Sequence, residues 1–181
     1  MSEFAPPPPY TAIPLTRELA TSHADALALL ASQIPQVEYS PNDILAEQKS
    51  DRELLNKWQH SLVVMDGDVP IAFVMGYERR AEGNTQYPTD TLYISELAVA
   101  ETHQQQGIAR SLLQQFFEYN GSVGFLTLDG DLNYSIQTNS AEWNEHVVKL
   151  YESFGFKQRA MTEYPNRTDV VLGVNADKLK P

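Results

Sequence analysis

Residues 91–117 read TLYISELAVA, ETHQQQ and GIARSLLQQFF. An apolar strand, a polar turn and an amphipathic helix in that order aim a helix N-terminus at the end of a strand. The first amides of a helix have no carbonyl to bond within the helix, so the terminus suits an anion, most often a phosphate. In the turn Gln104-Gln105-Gln106-Gly107-Ile108-Ala109, Gly107 removes a Cβ where the backbone must come close to a ligand, and Ala109 stays small. The successive amides of Gln105, Gln106, Gly107, Ile108, Ala109 and Arg110 can surround such a group. Two further features carry chemistry. Glu96 sits in the middle of the apolar strand, where a carboxylate is costly to bury unless it is paired or faces a water-lined cleft. A salt bridge to Arg79 or Arg80 is its structural alternative. Asn144, Val147 and Tyr151 fall at i, i+3 and i+7 and share one helical face, with a core role for the Tyr151 ring as the alternative. The four histidines, His23, His60, His103 and His146, form no pair at metal-ligand spacing, so no metal is expected.

Hydrophobic periodicity places these residues on a chain of alternating elements. An edge strand is expected over 11–17, since Pro14 would be tolerated only at an edge. A helix over 22–33 takes Ser22 as its N-cap, and two short helices follow over 40–47 and 51–59. Residues 61–65 and 69–77 form a hairpin across Asp66-Gly67-Asp68. The strand over 91–100 and the helix from Gly107 come next. Within the strand, Tyr93, Ser95, Leu97 and Val99 share one face, and Ile94, Glu96 and Ala98 the other. Of two strand-like runs, 125–128 and 134–138, the second is expected in the main sheet. A helix over 142–154 is closed by Gly155, and a hairpin of 157–164 with 168–174 ends the chain. The order predicts an α/β sandwich on a mixed sheet rather than a doubly wound parallel one.

At 181 residues, with 42% apolar residues, the chain is read as one domain over 10–181 preceded by a proline-rich arm over 1–9, expected to be polyproline II or disordered. Its 13 Lys+Arg against 24 Asp+Glu, a formal charge of -11, argue against nucleic acid and anionic membranes as partners and mildly favour an amine substrate. The absence of cysteine excludes disulfides and a cysteine nucleophile. No apolar run reaches membrane-spanning length, and MSEFAPPPPY lacks the features of a signal peptide, so a cytoplasmic protein is expected. Monomer and homodimer stay open.

The turn matches Q/R-x-x-G-x-G/A and resembles the pyrophosphate-binding signature of the GNAT N-acetyltransferases. Forty residues on from Gln104, Asn144-x-x-Val147-x-x-Leu150-Tyr151-x-x-Phe154-Gly155-Phe156 is similar to that family's second cofactor motif, N-x-x-A-x-x-L-Y-x-x-x-G-F. Gln104 and Ala109 are allowed variants, and Val147 is bulkier than the usual alanine. The resemblance implies a mixed, mostly antiparallel sheet flanked by helices, the acyl-CoA N-acyltransferase fold. It implies direct transfer of an acetyl group from acetyl-CoA, as cosubstrate, to a primary amine, without a covalent enzyme intermediate. The backbone of Leu97, Ala98 and Val99 would pair with pantetheine and polarise the thioester. Gln104 through Arg110 would hold the diphosphate, and Asn144, Val147 and Tyr151 would face the cofactor. Tyr151 would be the general acid for the thiolate and Glu96 the general base, directly or through a water. Trp58, Tyr77, Glu78 and Tyr164 could line the acceptor site. A small-molecule amine is the favoured acceptor. The alternatives are a peptide N-terminus or lysine, a catalytically silent acyl-CoA sensor, and a non-enzymatic interaction domain.

Overall fold

The computed structural model describes residues 10–33, 38–50, 52–79, 91–122, 136–142 and 144–180. In order, its elements are β1 (Ala12–Pro14), α1 (Arg17–Ser22), α2 (Ala24–Ala31), α3 (Pro41–Leu45), β2 (Gln48–Lys49), β3 (Arg52–Glu53), α4 (Lys57–His60), β4 (Leu62–Asp66), β5 (Val69–Arg79), β6 (Thr91–Val99), α5 (Ile108–Ser122), β7 (Ile136–Ala141), α6 (Glu145–Ser153), β8 (Lys157–Tyr164) and β9 (Arg167–Val174). The chain forms two compact units, one of Met1–Tyr77 with Glu96–Tyr119 and one of Glu78–Ser95 with Asn120–Pro181. Strand β6 contributes to both. The proline-rich arm and the strand-like run over 125–128 lie outside the described residues.

In the first unit the strand order is β1-β4-β5-β6. β1 is the expected edge strand, with Pro14 opposite Leu62. β4 and β5 form the hairpin across Gly67, whose φ of 59° is the left-handed conformation that glycine adopts at no steric cost. A core of Leu15, Ala20, Leu27, Ala28, Leu30, Ala31, Ile44, Val63, Phe73 and Met75 joins α1, α2 and α3 to these strands. On α5, Ile108, Leu112, Leu113, Phe116 and Phe117 are buried as a single stripe, which is the helical face the sequence pattern marks. Gln115 of that helix accepts from the Ala12 amide at 2.9 Å and so ties β1 to α5.

The expected helix over 22–33 is two helices. Thr16, not Ser22, caps the first by accepting from the Leu19 amide, and His23 (φ -122°, ψ 18°) breaks the run. The Ser22 hydroxyl instead donates back to the Glu18 and Leu19 carbonyls. The expected helix over 40–47 is α3, closed at its start by a capping box between Ser40 and Asp43. That box holds the Asp43 carboxyl below the ordinary carboxylate range. The helix expected over 51–59 is reduced to α4, because Asn56 at φ 55° ends any helix before it and Arg52–Glu53 pairs with Gln48–Lys49.

In the second unit the order is β6-β7-β9-β8, with β6 and β7 parallel and the other neighbours antiparallel. Helix α6 starts at Glu145, with Asn144 as its N-cap, three residues later than expected from sequence. Its end is a Schellman turn. The Phe156 amide bonds the Tyr151 carbonyl, the Gly155 amide bonds the Glu152 carbonyl, and Gly155 has φ 96°. A Cβ on Gly155 would come within 2.7 Å of the Lys178 carbonyl oxygen, so glycine is required there on two counts. The architecture is a mixed, mostly antiparallel sheet flanked by helices, as the sequence predicts.

Candidate active site

The turn after β6 is built from two left-handed residues. A short 3-10 turn, Glu101–His103, follows the strand. Gln105 then takes φ 61° and Gly107 φ 78°. Left-handed φ in a glutamine costs of the order of 1 kcal/mol, and strain of this kind persists where the surroundings impose it. Two side chains do so here. Gln104 Nε2 donates to the Val99 carbonyl at 3.1 Å and to Gln33 Oε1 at 3.2 Å, and Gln106 Nε2 donates to the Thr102 carbonyl at 3.3 Å. The turn is therefore bonded back onto the strand end.

Gly107 is the N-cap of α5, since its carbonyl accepts from the Ser111 amide at 3.0 Å. The amides of Gly107, Ile108, Ala109 and Arg110 are therefore the four that helix geometry leaves without an intrahelical acceptor. Gln104, Gln105, Gln106 and Gly107 are all exposed. A Cβ built on Gly107 meets nothing within 4 Å. Glycine is thus required by its φ and not by protein packing, and the space beside it is open to a ligand.

Strand β6 offers a backbone edge next to this turn. The Ala100 amide donates to the Ile71 carbonyl of β5 at 2.7 Å. In a planar trans peptide the Val99 carbonyl then points away from β5, which is where Gln104 reaches it. The alternation of an extended strand turns both backbone groups of Leu97, and the Val99 amide, toward that same edge, and turns the Ala98 amide toward β5. Among the described residues, the β6–β7 ladder pairs Leu92, Tyr93 and Ile94 with Ile136, Gln137 and Thr138, and β6 runs on to Val99. Of the three residues singled out on this strand, Leu97 and Val99 present backbone groups to the edge. The Ala98 side chain packs on the α1–α3 core.

Glu96 shares its face with Ala98 and meets a partner that sequence reading misses. Tyr39 Oη donates to Glu96 Oε1 at 3.2 Å. Arg79, the partner considered from sequence, stacks its guanidinium 3.3 Å over the Tyr93 ring, and Arg80 lies outside the described residues. Lys57 is buried at 3% exposure, and its Nζ donates to the Ile44 and Ala46 carbonyls at 2.6 and 2.8 Å. Burial pushes the Lys57 ammonium below the ordinary lysine range, while Glu96 and then Glu47 pull it the other way. Glu47 in turn accepts from Trp58 Nε1 at 2.7 Å. Nothing local in the sequence flags Tyr39, which lies 57 residues from Glu96.

The second group of candidates belongs to the second unit. Asn144 is not inside the helix as expected, but its carboxamide makes no capping bond, and its carbonyl accepts from the Val147 and Val148 amides. Val147 is half-buried. Tyr151 is buried at 2% exposure, with its ring 5.2 Å from that of Phe156. Of the residues considered for an acceptor site, Tyr77 and Glu78 are buried, Trp58 is half-buried and Tyr164 is exposed. His103, half-buried, sits 3.7 Å from Asp66 and bonds Thr102 through Nδ1. Among the described residues no group of three or more metal-ligating side chains occurs, and no helix is long and apolar enough to cross a membrane.

The family model described as acetyltransferase (GNAT) family matches residues 28–156. No curated protein matches the sequence. Solved structures share the fold at low identity. The ribosomal-protein-S18-alanine N-acetyltransferase from Escherichia coli is similar over 90% of this chain and 91% of its own, at 15% identity and a TM-score of 0.62. The NatC complex bound to Gag peptide and CoA is similar over 90% and 96%, at 19% identity and 0.65. The diaminobutyrate acetyltransferase from Paenibacillus lautus, in complex with L-2,4-diaminobutyric acid and coenzyme A, is similar over 91% and 94%, at 14% identity and 0.58.

Proposed function

Because the chain belongs to the acetyltransferase (GNAT) family and is an acetyl-CoA-dependent N-acetyltransferase, we propose that its acceptor is the primary amine of a small molecule. The observation that carries the cofactor side is the exposed turn at Gly107, where a left-handed glycine caps a helix just after a strand whose ladder with β7, among the described residues, stops at Ile94. The amides from Gln105 to Arg110 hold the diphosphate, and the dipole of α5 adds a modest favourable term. Gln104 acts by bracing the turn against Val99. Leu97 and Val99 pair with pantetheine as an added strand, and the Leu97 amide polarises the thioester carbonyl. In the family's second motif, Asn144 and Val147 serve the cofactor and Tyr151 is the general acid.

The reaction balances without a covalent enzyme intermediate. The acceptor enters as an ammonium and gives one proton to Glu96, directly or through a water. The free amine attacks the thioester carbon and the new C–N bond forms; as the adduct collapses the nitrogen gives its second proton to water, the C–S bond breaks, and Glu96 returns its own proton to solvent. The sulfur leaves as a thiolate and takes a proton from Tyr151, which is replenished from solvent. The net charge of -11 favours a cationic acceptor by steering. Among structures of this fold, one was solved with a diamino acid and another with a peptide, so both acceptor classes belong in the test. Release of free thiol from acetyl-CoA is followed with 1,4-diaminobutane, L-2,4-diaminobutyric acid, L-lysine and a short peptide bearing a free α-amino group. Turnover with a free amine exceeding that with the peptide is expected. Turnover confined to the peptide replaces the acceptor class, and no turnover with any amine contradicts the enzymatic reading for these acceptors.

A further inference from the structure

We propose that Tyr39 is a positioning residue that acts through Glu96 to orient the carboxylate receiving the acceptor ammonium. The inference rests on the proposed function and adds a residue that neither cofactor motif contains. Three observations carry it. Tyr39 Oη donates to Glu96 Oε1 at 3.2 Å across 57 residues of sequence, from a position two residues before α3. The backbone at Tyr39 and Ser40 is held by two bonds. The Tyr39 amide donates to Ser32 Oγ at 2.9 Å, and Ser32 Oγ donates to the Ala28 carbonyl at 2.7 Å at the end of α2. The Ser40 amide donates to Asp43 Oδ2 at 2.7 Å in the capping box of α3. The phenol is thus delivered from a fixed backbone, as pre-organisation of a reacting carboxylate requires.

The third observation is a buried cation that the Glu96 carboxylate feels. Lys57 is held in place by two backbone carbonyls and interacts electrostatically with Glu96 and Glu47. The carboxylate therefore has a phenol at hydrogen-bond distance and a buried, carbonyl-held ammonium within electrostatic reach. The Tyr39 ring is half-buried and packs against the core that joins α1, α2 and α3. A carboxylate oriented in this way accepts a proton from an ammonium along one direction, which is worth more to the reaction than the strength of the hydrogen bond itself.

The test is a double-mutant cycle of Y39F, E96Q and the double variant, using acetyl-CoA and whichever amine of the panel turns over fastest. Y39F is expected to lower kcat/KM for the amine about tenfold and to leave the KM of acetyl-CoA unchanged. In the E96Q background the same change is expected to have less than about a twofold effect, because its target is gone. An equal loss in both backgrounds assigns Tyr39 to packing and overturns the proposal, as does no loss from Y39F alone. Should E96Q abolish turnover, the same cycle is read in the amine's Kd on the coenzyme A-loaded protein, with the same outcomes deciding it. A wild-type protein that acetylates no amine overturns the proposed function, and this inference with it. Turnover by wild type with additive variants overturns the inference alone.

Discussion

Replacing Gly107 with valine is expected to weaken acetyl-CoA binding about a hundredfold, close to 3 kcal/mol, while the protein stays folded. The two halves of this expectation have separate causes. A Cβ at this position meets no atom beyond its chain neighbours within 4 Å, so a larger side chain starts from open space. The cost to stability is the left-handed φ of 78°, which a β-branched residue tolerates poorly. At about 1–2 kcal/mol that cost lowers Tm by only a few degrees in a chain of this size. The cofactor suffers more. On the proposed diphosphate site, either the peptide rotates to relieve φ and the amides of Gln105 to Arg110 are re-aimed, or φ holds and the side chain fills the open space beside the turn. Loss of two charge-assisted hydrogen bonds, each worth about 1.5–3 kcal/mol, is enough to reach the stated figure. Calorimetric titration read beside a thermal melt checks it. A large fall in Tm with unchanged affinity for the remaining folded protein would place the anion elsewhere.

Tyr151→Phe is expected to lower kcat about a hundredfold and to leave the KM for acetyl-CoA within about twofold. The substitution keeps the ring that packs on Phe156 and removes only the hydroxyl. A buried ring of 2% exposure with its neighbours intact loses little stability, about 1 kcal/mol or less for one hydrogen bond. A thiolate is a tolerable leaving group, which is why the loss is set at the low end of general-acid effects. A kcat within about threefold of wild type would remove Tyr151 from the chemistry and leave it as the core aromatic that its burial alone would suggest.

The turn at Gly107 is legible in sequence because its signals are local. A strand end, a left-handed glycine and a helix start fall within a few residues, and the pattern around Gly107 reports all three. Gly155 is legible for the same reason, since one residue sets the Schellman turn that closes α6. The errors have local causes too. Ser22 precedes an apolar run and looks like an N-cap, but Thr16 had already started a helix, and the break between α1 and α2 is set by the backbone of His23. The helix expected over 51–59 fails because Asn56 goes left-handed. The residues around Glu96 were beyond reach for a different reason. Tyr39 meets Glu96, and Lys57 comes within electrostatic reach of it, only in the folded chain, and no spacing rule links positions so far apart. Strand order suggests Arg79 or Arg80 as a partner of Glu96, and it gives no sign of the bond from Tyr39.

The most direct test of the anion site compares acetyl-CoA with S-acetylpantetheine, which carries the same thioester and pantetheine arm but no diphosphate, by calorimetric titration into the wild-type protein. Acetyl-CoA is expected to bind at least about a hundredfold more tightly, with the difference largely lost in Gly107→Val. Equal affinities for the two ligands would contradict the assignment of the Gly107 turn as the diphosphate site.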